Sequence, residues 1–330
     1  MYIEQAQKNS IEWWRYLIGT LIIFIFWQII GGMPFVFAII GKLGLEGLAM
    51  INEENMFSIL ENLNATFFYL FSSFVIGLAG LFFVVKVLHR QSLTNLTTSR
   101  SKIDWKRVGF AFLLWGIIST SMMGIDIYFS PDNYVFKFEL NSFLILAALA
   151  IVLVPIQTSF EEYLFRGYLM QGIVNIFKNK WVPLIVTSLI FGLLHILNPE
   201  VEKLGYIIMI YYIGTGLFLG ILTLMDEGME LALGFHAANN LFIALLVTAD
   251  WTAFQTESIY RATSDPTYIG WNEFLENPWI FSEIAISVFV IFPILLFIFS
   301  KKYNWSNWKD KLTGPVKQTP TSEEDIWDKR

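Results

Sequence analysis

The chain has 330 residues, of which 55% are hydrophobic and only 15% are charged, and its net charge is −6. Soluble domains carry charge on about a quarter of their residues, so this composition indicates a membrane protein. The absence of cysteine excludes disulfides, thiolate metal ligands and a cysteine nucleophile. No feature of the composition predicts binding to nucleic acid.

Uncharged apolar runs recur along the whole chain. They cover residues 16–41, 66–85, 108–125, 142–160, 182–198, 205–225, 231–249 and 284–300. A helix of about 20 residues crosses the bilayer core, and lipid offers the backbone no hydrogen-bond partner. The runs therefore predict an all-α fold, a polytopic transmembrane helical bundle with about eight spanning helices.

The loops between these runs predict the orientation of the chain. Loop 89–107 and the segment from Lys301 onward are rich in Lys and Arg, whereas loops 41–65 and 250–280 are poor in them. Because basic residues mark the cytoplasmic side, both termini are expected in the cytoplasm. An even number of crossings agrees with this expectation.

The stretch "FEEYLFRG" places charge inside apolar sequence. Ionisable groups at membrane depth cost about 2.5–3.5 kcal/mol each on insertion scales and usually mark function. Glu162 and Arg166 are four residues apart, so they share a helix face and can pair. Glu161 is rotated by about 100° from that pair and points elsewhere. An interfacial salt bridge with a spare solvated acid is the simpler alternative.

Two histidines lie inside uncharged runs, His195 in "FGLLH" and His236 in "GFHAANN". His236 and Asn240 are four residues apart and point the same way. Each group alone could simply join two helices. Together, however, a carboxylate and an imidazole can activate a water, and a histidine with an asparagine can hold an oxyanion.

These motifs, EExxxR, FxxxH and HxxxN, resemble those of the CPBP family, the CAAX protease and bacteriocin-processing group of intramembrane glutamic endopeptidases. The resemblance implies that Glu161 is the catalytic carboxylate and that His195 shares the nucleophilic water with it. It also implies that His236 and Asn240 form the oxyanion site. The expected substrates are membrane-associated peptides or proteins, lipidated or not.

The resemblance also implies that Glu162 and Arg166 are supporting residues. They would hold the helix so that Glu161 faces the active-site cavity. No cofactor and no metal are expected, and the implied location is the bacterial cytoplasmic membrane. The lipid bilayer is the other expected partner, and the sequence leaves the oligomeric state open.

Three alternatives stay open on the residues alone. A zinc protease would use the two intramembrane histidines, but the helical pair HExxH is absent from the sequence. A transporter would also carry buried Glu, His and Arg, and it predicts inverted repeats, none of which is visible. A non-catalytic immunity or scaffold protein could keep the same fold.

The resemblance divides the chain into four parts. Residues 1–141 form the N-terminal transmembrane helices with the basic loop 89–107, and residues 142–249 form the catalytic core. Residues 250–303 supply an outer loop and the last transmembrane helix, and 304–330 a polar cytoplasmic tail expected to be disordered.

The depth of Glu161 in the membrane raises a difficulty. Its preceding run could end at the cytoplasmic surface, whereas His195 lies well inside its own span. We therefore expect Pro155 to break the fourth helix, so that 156–177 becomes the span and Glu161 lies deeper.

Overall fold

The computed structural model describes residues 1–8, 12–51, 56–263, 272 and 282–316. Within these ranges the protein is a helical bundle with eight apolar helical segments. They are α1 (Trp13–Leu43), α2 (Leu63–Leu88), α3 (Trp105–Phe129), α4 (Leu140–Phe177), α5 (Trp181–Leu193), α6 (Tyr206–Asp226), α7 (Glu230–Leu246) and α8 (Ile284–Tyr303). The predicted all-α, polytopic membrane bundle is confirmed.

Six of these helices are long and apolar enough to cross a bilayer in the part of the chain that the structure describes. The other two are shorter, with 13 residues in α5 and 17 in α7. The count of eight crossings therefore stays a prediction, although each predicted run coincides with one helical segment.

Helix α4 runs through its proline without interruption. Pro155 lies inside the α-helical part Leu140–Glu162, which continues through a π-helical turn, Tyr163–Leu169, into Met170–Phe177. The expected break at Pro155 is therefore wrong, because a transmembrane helix tolerates proline when neighbouring groups satisfy the freed backbone. With 38 residues α4 exceeds the about 20 needed to cross, so apolar helix flanks Glu161 on both sides.

Segments from distant parts of the sequence meet at one end of the bundle. The Tyr2 amide donates to the Glu227 carboxylate at 2.6 Å, and the Ser99 amide donates to the Glu227 carbonyl at 3.0 Å. The Lys311 ammonium lies 3.4 Å from the Glu227 carboxylate. One face of the bundle is thus shared by the N-terminal segment, loop 89–107 and the segment after α8. The cytoplasmic location of this face stays a prediction.

A small sheet closes the other end of the bundle. It contains β1 (Tyr134–Phe136), β2 (Val247–Thr248) and β3 (Tyr260–Ala262), in the order β1-β3-β2. Strand β3 pairs antiparallel with β1 and parallel with β2. Most of the outer loop beyond residue 263 lies outside the described residues. The tail from 317 to 330 also lies outside them, so its expected disorder stays a prediction.

A glycine allows α7 to approach α3 closely. A Cβ on Gly234 would collide with the Val108 carbonyl oxygen and would lie 3.0 Å from the Phe112 nitrogen. Small residues permit such close helix contacts in membranes. This contact brings polar groups of α7 against α3, and one of them, Asn239, is bonded to Trp115.

Candidate active site

Glu162 and Arg166 form a buried ion pair inside the bundle. Their side chains are 0% and 1% exposed, and Arg166 Nη1 lies 2.9 Å from Glu162 Oε1. Arg166 also donates to the Gly216 carbonyl of α6 at 3.1 Å, and its guanidinium lies 4.4 Å from the centre of the Phe191 ring of α5. The predicted pairing is confirmed, and it joins α4 to two neighbouring helices.

Glu161 lies beside this pair and is held by another side chain of α4, Gln157. Its Oε1 accepts a hydrogen bond from Gln157 Nε2 at 2.6 Å. Its Oε2 is buried and has no hydrogen-bond partner among the described residues. That oxygen lies 3.5 Å from Nε2 of His236. One oxygen of this carboxylate is therefore fixed, while the other faces an imidazole.

His236 bridges the two neighbouring glutamates. Its Nδ1 lies 2.8 Å from Glu162 Oε1, opposite the contact of its Nε2 with Glu161. A carboxylate held by an arginine is ionised and only accepts, so Nδ1 of His236 must carry a proton. The other nitrogen, Nε2, is then the atom that can exchange a proton with Glu161. The sequence did not reveal this second contact of Glu162.

Asn240 lies one helical turn after His236 and also points at α4. Its Nδ2 donates to Gln157 Oε1 at 3.1 Å, and its Oδ1 accepts from Asn239 Nδ2 at 3.0 Å. Gln157 and Asn239 are not part of the motifs found in the sequence. Gln157 had a detectable signal, because it is a polar residue four positions before Glu161 in an apolar run, on the same helix face.

His195 lies outside the regular helix, because α5 ends at Leu193 and His195 follows in a turn. Its Nδ1 donates to the Phe191 carbonyl at 2.8 Å, since a carbonyl only accepts. Its ring stacks on Tyr212 at 4.4 Å with 20° between the planes. The Phe191 ring contacts both histidines, at 4.9 Å from His195 and 5.9 Å from His236.

The structure thus joins five of the six predicted site residues through hydrogen bonds or close charge contacts, with Gln157 as an additional member. His195 lies next to this group, across Phe191, and has no direct hydrogen bond to it in the part of the chain described. Among the described residues, no group of three or more His, Asp or Glu side chains could hold a metal ion. Metal independence itself stays a prediction.

Part of the chain matches a known protein family. Residues 140–242 match the family model described as Type II CAAX prenyl endopeptidase Rce1-like. The chain is also 30% identical over 252 residues to the uncharacterized protein YyaK of Bacillus subtilis, a match that covers 75% of this chain and 82% of that protein. No solved structure matches the chain.

The matched region contains all six predicted site residues, and the helices around it make the chain an integral membrane protein. YyaK is of the same family. This family supports a function as a CAAX-type intramembrane protease. The chain therefore belongs to the Rce1-like family, that of the type II CAAX prenyl endopeptidases.

Proposed function

We propose that this protein is a glutamic intramembrane endopeptidase that hydrolyses peptide bonds of membrane-associated peptides or proteins, lipidated ones included. One observation carries the proposal. A buried carboxylate, Glu161, has one oxygen fixed by Gln157 and the other without a hydrogen-bond partner in the described chain, facing the His236 imidazole. Glu162 also has one buried oxygen without a partner in the described chain, but Arg166 balances its charge, whereas the unbonded oxygen of Glu161 faces a histidine, which can gain or lose a proton.

The charges of the cluster support a proton-transfer role. Glu161 and Glu162 carry two negative charges when ionised, whereas Arg166 supplies one positive charge. A proton on Nε2 of His236 makes the cluster neutral, and the imidazolium then donates from both ring nitrogens. Nε2 can thus present a donor to a developing oxyanion, while Nδ1 stays bonded to Glu162.

His195 has the tautomer that suits water binding. Because Nδ1–H donates to the Phe191 carbonyl, the neutral ring keeps an unprotonated Nε2. Stacking on Tyr212 fixes the plane of the ring. In our proposal this nitrogen accepts one hydrogen bond from the nucleophilic water, and Glu161 takes a proton from the same water.

The reaction follows from these roles. The water oxygen attacks the peptide carbonyl carbon as Glu161 accepts a proton, which leaves a tetrahedral oxyanion near His236 and Asn240. Donors that bind the oxyanion more strongly than the ground-state carbonyl accelerate this step. Glu161 then passes its proton to the peptide nitrogen, the C–N bond breaks, and a carboxylic acid and an amine leave.

The test is cleavage of membrane-anchored peptides by purified protein, with mass spectrometry of the products. Glu161→Gln keeps the shape of the side chain and removes the base, so cleavage should be abolished while the melting curve stays close to that of the native protein. Glu46→Gln changes an exposed glutamate in the short 3-10 helix Leu45–Met50, outside the site, and serves as the control. Equal cleavage by native and Glu161→Gln protein would refute the proposal.

A further inference from the structure

A chain of four hydrogen bonds runs from α3 through α7 to the carboxylate of Glu161. Trp115 Nε1 donates to Asn239 Oδ1 at 3.0 Å, and Asn239 Nδ2 donates to Asn240 Oδ1 at 3.0 Å. Asn240 Nδ2 donates to Gln157 Oε1 at 3.1 Å, and Gln157 Nε2 donates to Glu161 Oε1 at 2.6 Å. Every bond of the chain points in the same direction, toward the carboxylate.

The two ends of the chain fix its direction. The indole of Trp115 can only donate, and an ionised Glu161 can only accept. Each of the three amides between them must therefore accept on the side of Trp115 and donate on the side of Glu161. The alternative orientation of any one amide would set two donors or two acceptors against each other.

The surroundings strengthen the chain. Trp115, Asn240 and Gln157 are buried, with 7%, 8% and 5% of their surfaces exposed. In a medium of low dielectric constant, aligned hydrogen bonds polarise one another, and an unpaired polar group is costly. The last bond of the chain, 2.6 Å long, has the short distance of a charge-assisted bond.

We infer that Gln157 and Asn239 are positioning residues of the active site, and that with Trp115 they aim Glu161 and Asn240. This inference rests on the proposed peptidase function. Gln157 holds Oε1 of Glu161, which leaves Oε2 toward His236. The same chain turns the NH₂ group of Asn240 toward α4, and its second N–H, which has no acceptor among the described residues, can donate to an oxyanion.

The position of the chain distinguishes it from ordinary helix packing. It connects three helices, yet it ends on the proposed general base rather than on a backbone group. The amide of Gln157 has both ends bonded to proposed catalytic residues, Glu161 on one side and Asn240 on the other. A shift of either partner would therefore be transmitted to the other.

The experiment measures kcat, KM and thermal stability for Gln157→Met, which keeps the length of the side chain and removes both hydrogen bonds. Because misplaced catalytic groups slow chemistry, kcat should fall about 10-fold to 100-fold. KM should change little, since substrate binding is retained. Gln171→Met is the matched control, because Gln171 is a fully buried glutamine of the same helix that bonds to Gln91 instead.

Trp115→Phe tests the far end of the chain and covers the case in which Gln157→Met fails to fold. It removes only the terminal N–H donor and should lower kcat in the same direction by a smaller factor. Trp305→Phe removes an indole donor to another buried carboxylate, Asp226, and should leave kcat unchanged. The double variant of Gln157 and Trp115 should lose less than the product of the two single losses, because the chain acts as a unit.

The possible results separate the two proposals. If native protein cleaves, Glu161→Gln does not, and both Gln157→Met and Trp115→Phe keep the native kcat, the positioning inference is wrong and the peptidase proposal stands. Equal losses in Gln157→Met and Gln171→Met would also overturn it, because they would reflect general destabilisation. If native protein and Glu161→Gln behave alike, the peptidase proposal fails and the positioning inference falls with it.

Discussion

Two charge clusters of this protein hold buried acids, but they differ in the cations that balance those acids. The membrane cluster consists of Glu161, Glu162, Arg166 and His236. The face cluster, at the end of the bundle where the N-terminal segment lies, consists of Arg100, Arg107, Asp226 and Glu230. The first has two buried acids for one arginine, whereas the second has two arginines for its two buried acids, and Arg107 also pairs with the partly exposed Asp104.

In the face cluster the acids are well supplied with donors. Arg100 lies 3.1 Å from both Asp226 and Glu230, and Arg107 also contacts Asp226. The Trp305 indole donates to Asp226 at 3.1 Å, and the Asp104 amide donates to Glu230 at 3.2 Å. Such a cluster holds loop 89–107 against the turn between α6 and α7.

In the membrane cluster one carboxylate oxygen of each glutamate is buried without a hydrogen-bond partner within the described chain. The cation that would balance the second acid is a histidine, which can gain or lose a proton, rather than an arginine, which stays charged. The comparison indicates that buried acids paired with arginines, whose charge is permanent, suit a structural clamp. An acid that depends on a titratable partner suits catalysis.

Glu162→Gln should have the largest effect on stability, because it removes the charge of the most deeply buried ion pair, Glu162 with Arg166. Removing one member of a buried pair typically costs about 3–5 kcal/mol, since Arg166 would stay buried with a weaker partner. Thermal unfolding in detergent measures the loss. Glu161→Gln is the matched control, since it makes the same chemical change at the adjacent residue without touching the pair. Similar melting temperatures for the two variants would contradict the division of labour between the glutamates.

Asn240→Ala should give the next largest effect, and it should act on turnover. Loss of one oxyanion donor costs about 10²–10³ in kcat, or roughly 2.7–4 kcal/mol. KM should change little if it reports binding. Asn175→Ala, a buried asparagine of α4 outside the site, is the control. Well-folded Asn240→Ala protein that cuts at the native rate would remove the oxyanion role.

The features of the fold and the site that depend on a single helix could be predicted from the sequence. Helical spacing predicted that Glu162 pairs with Arg166, and this pairing follows from residues within one turn. The prediction that Glu161 points elsewhere was right only in part, because Glu161 is held by Gln157 but reaches the same histidine as Glu162. The apolar runs predicted the membrane bundle in the same way, because each run is a local property of the sequence.

The other features depend on which helices are neighbours in the bundle. The spacing of residues along the sequence does not predict this. The contact of His236 with Glu162 and the bond of Asn240 to Gln157 join α7 to α4. The position of His195 in a turn depends on where α5 ends, and the unbroken passage through Pro155 depends on the surrounding helices. The basic loop 89–107 was interpreted as a marker of orientation, and its further role as a clamp needed the structure.

Arg100→Met should give the smallest effect on catalysis and thereby sharpen the comparison. Arg100 contacts both acids of the face cluster, so its loss removes hydrogen bonds to charged groups, each worth about 1.5–3 kcal/mol. The net loss should lie within this range, because Arg107 and Trp305 still hold Asp226 and the Asp104 amide still donates to Glu230, whereas that buried acid loses its arginine. We expect a lower melting temperature with kcat unchanged, because no member of this cluster belongs to the proposed site. Thermal unfolding and peptide cleavage on the same preparation measure both quantities, with Lys309→Met, an exposed residue of the same face, as the control. If kcat fell in folded Arg100→Met protein as far as in Asn240→Ala, the face cluster would be coupled to catalysis and the distinction between clamp and reactive site would not hold.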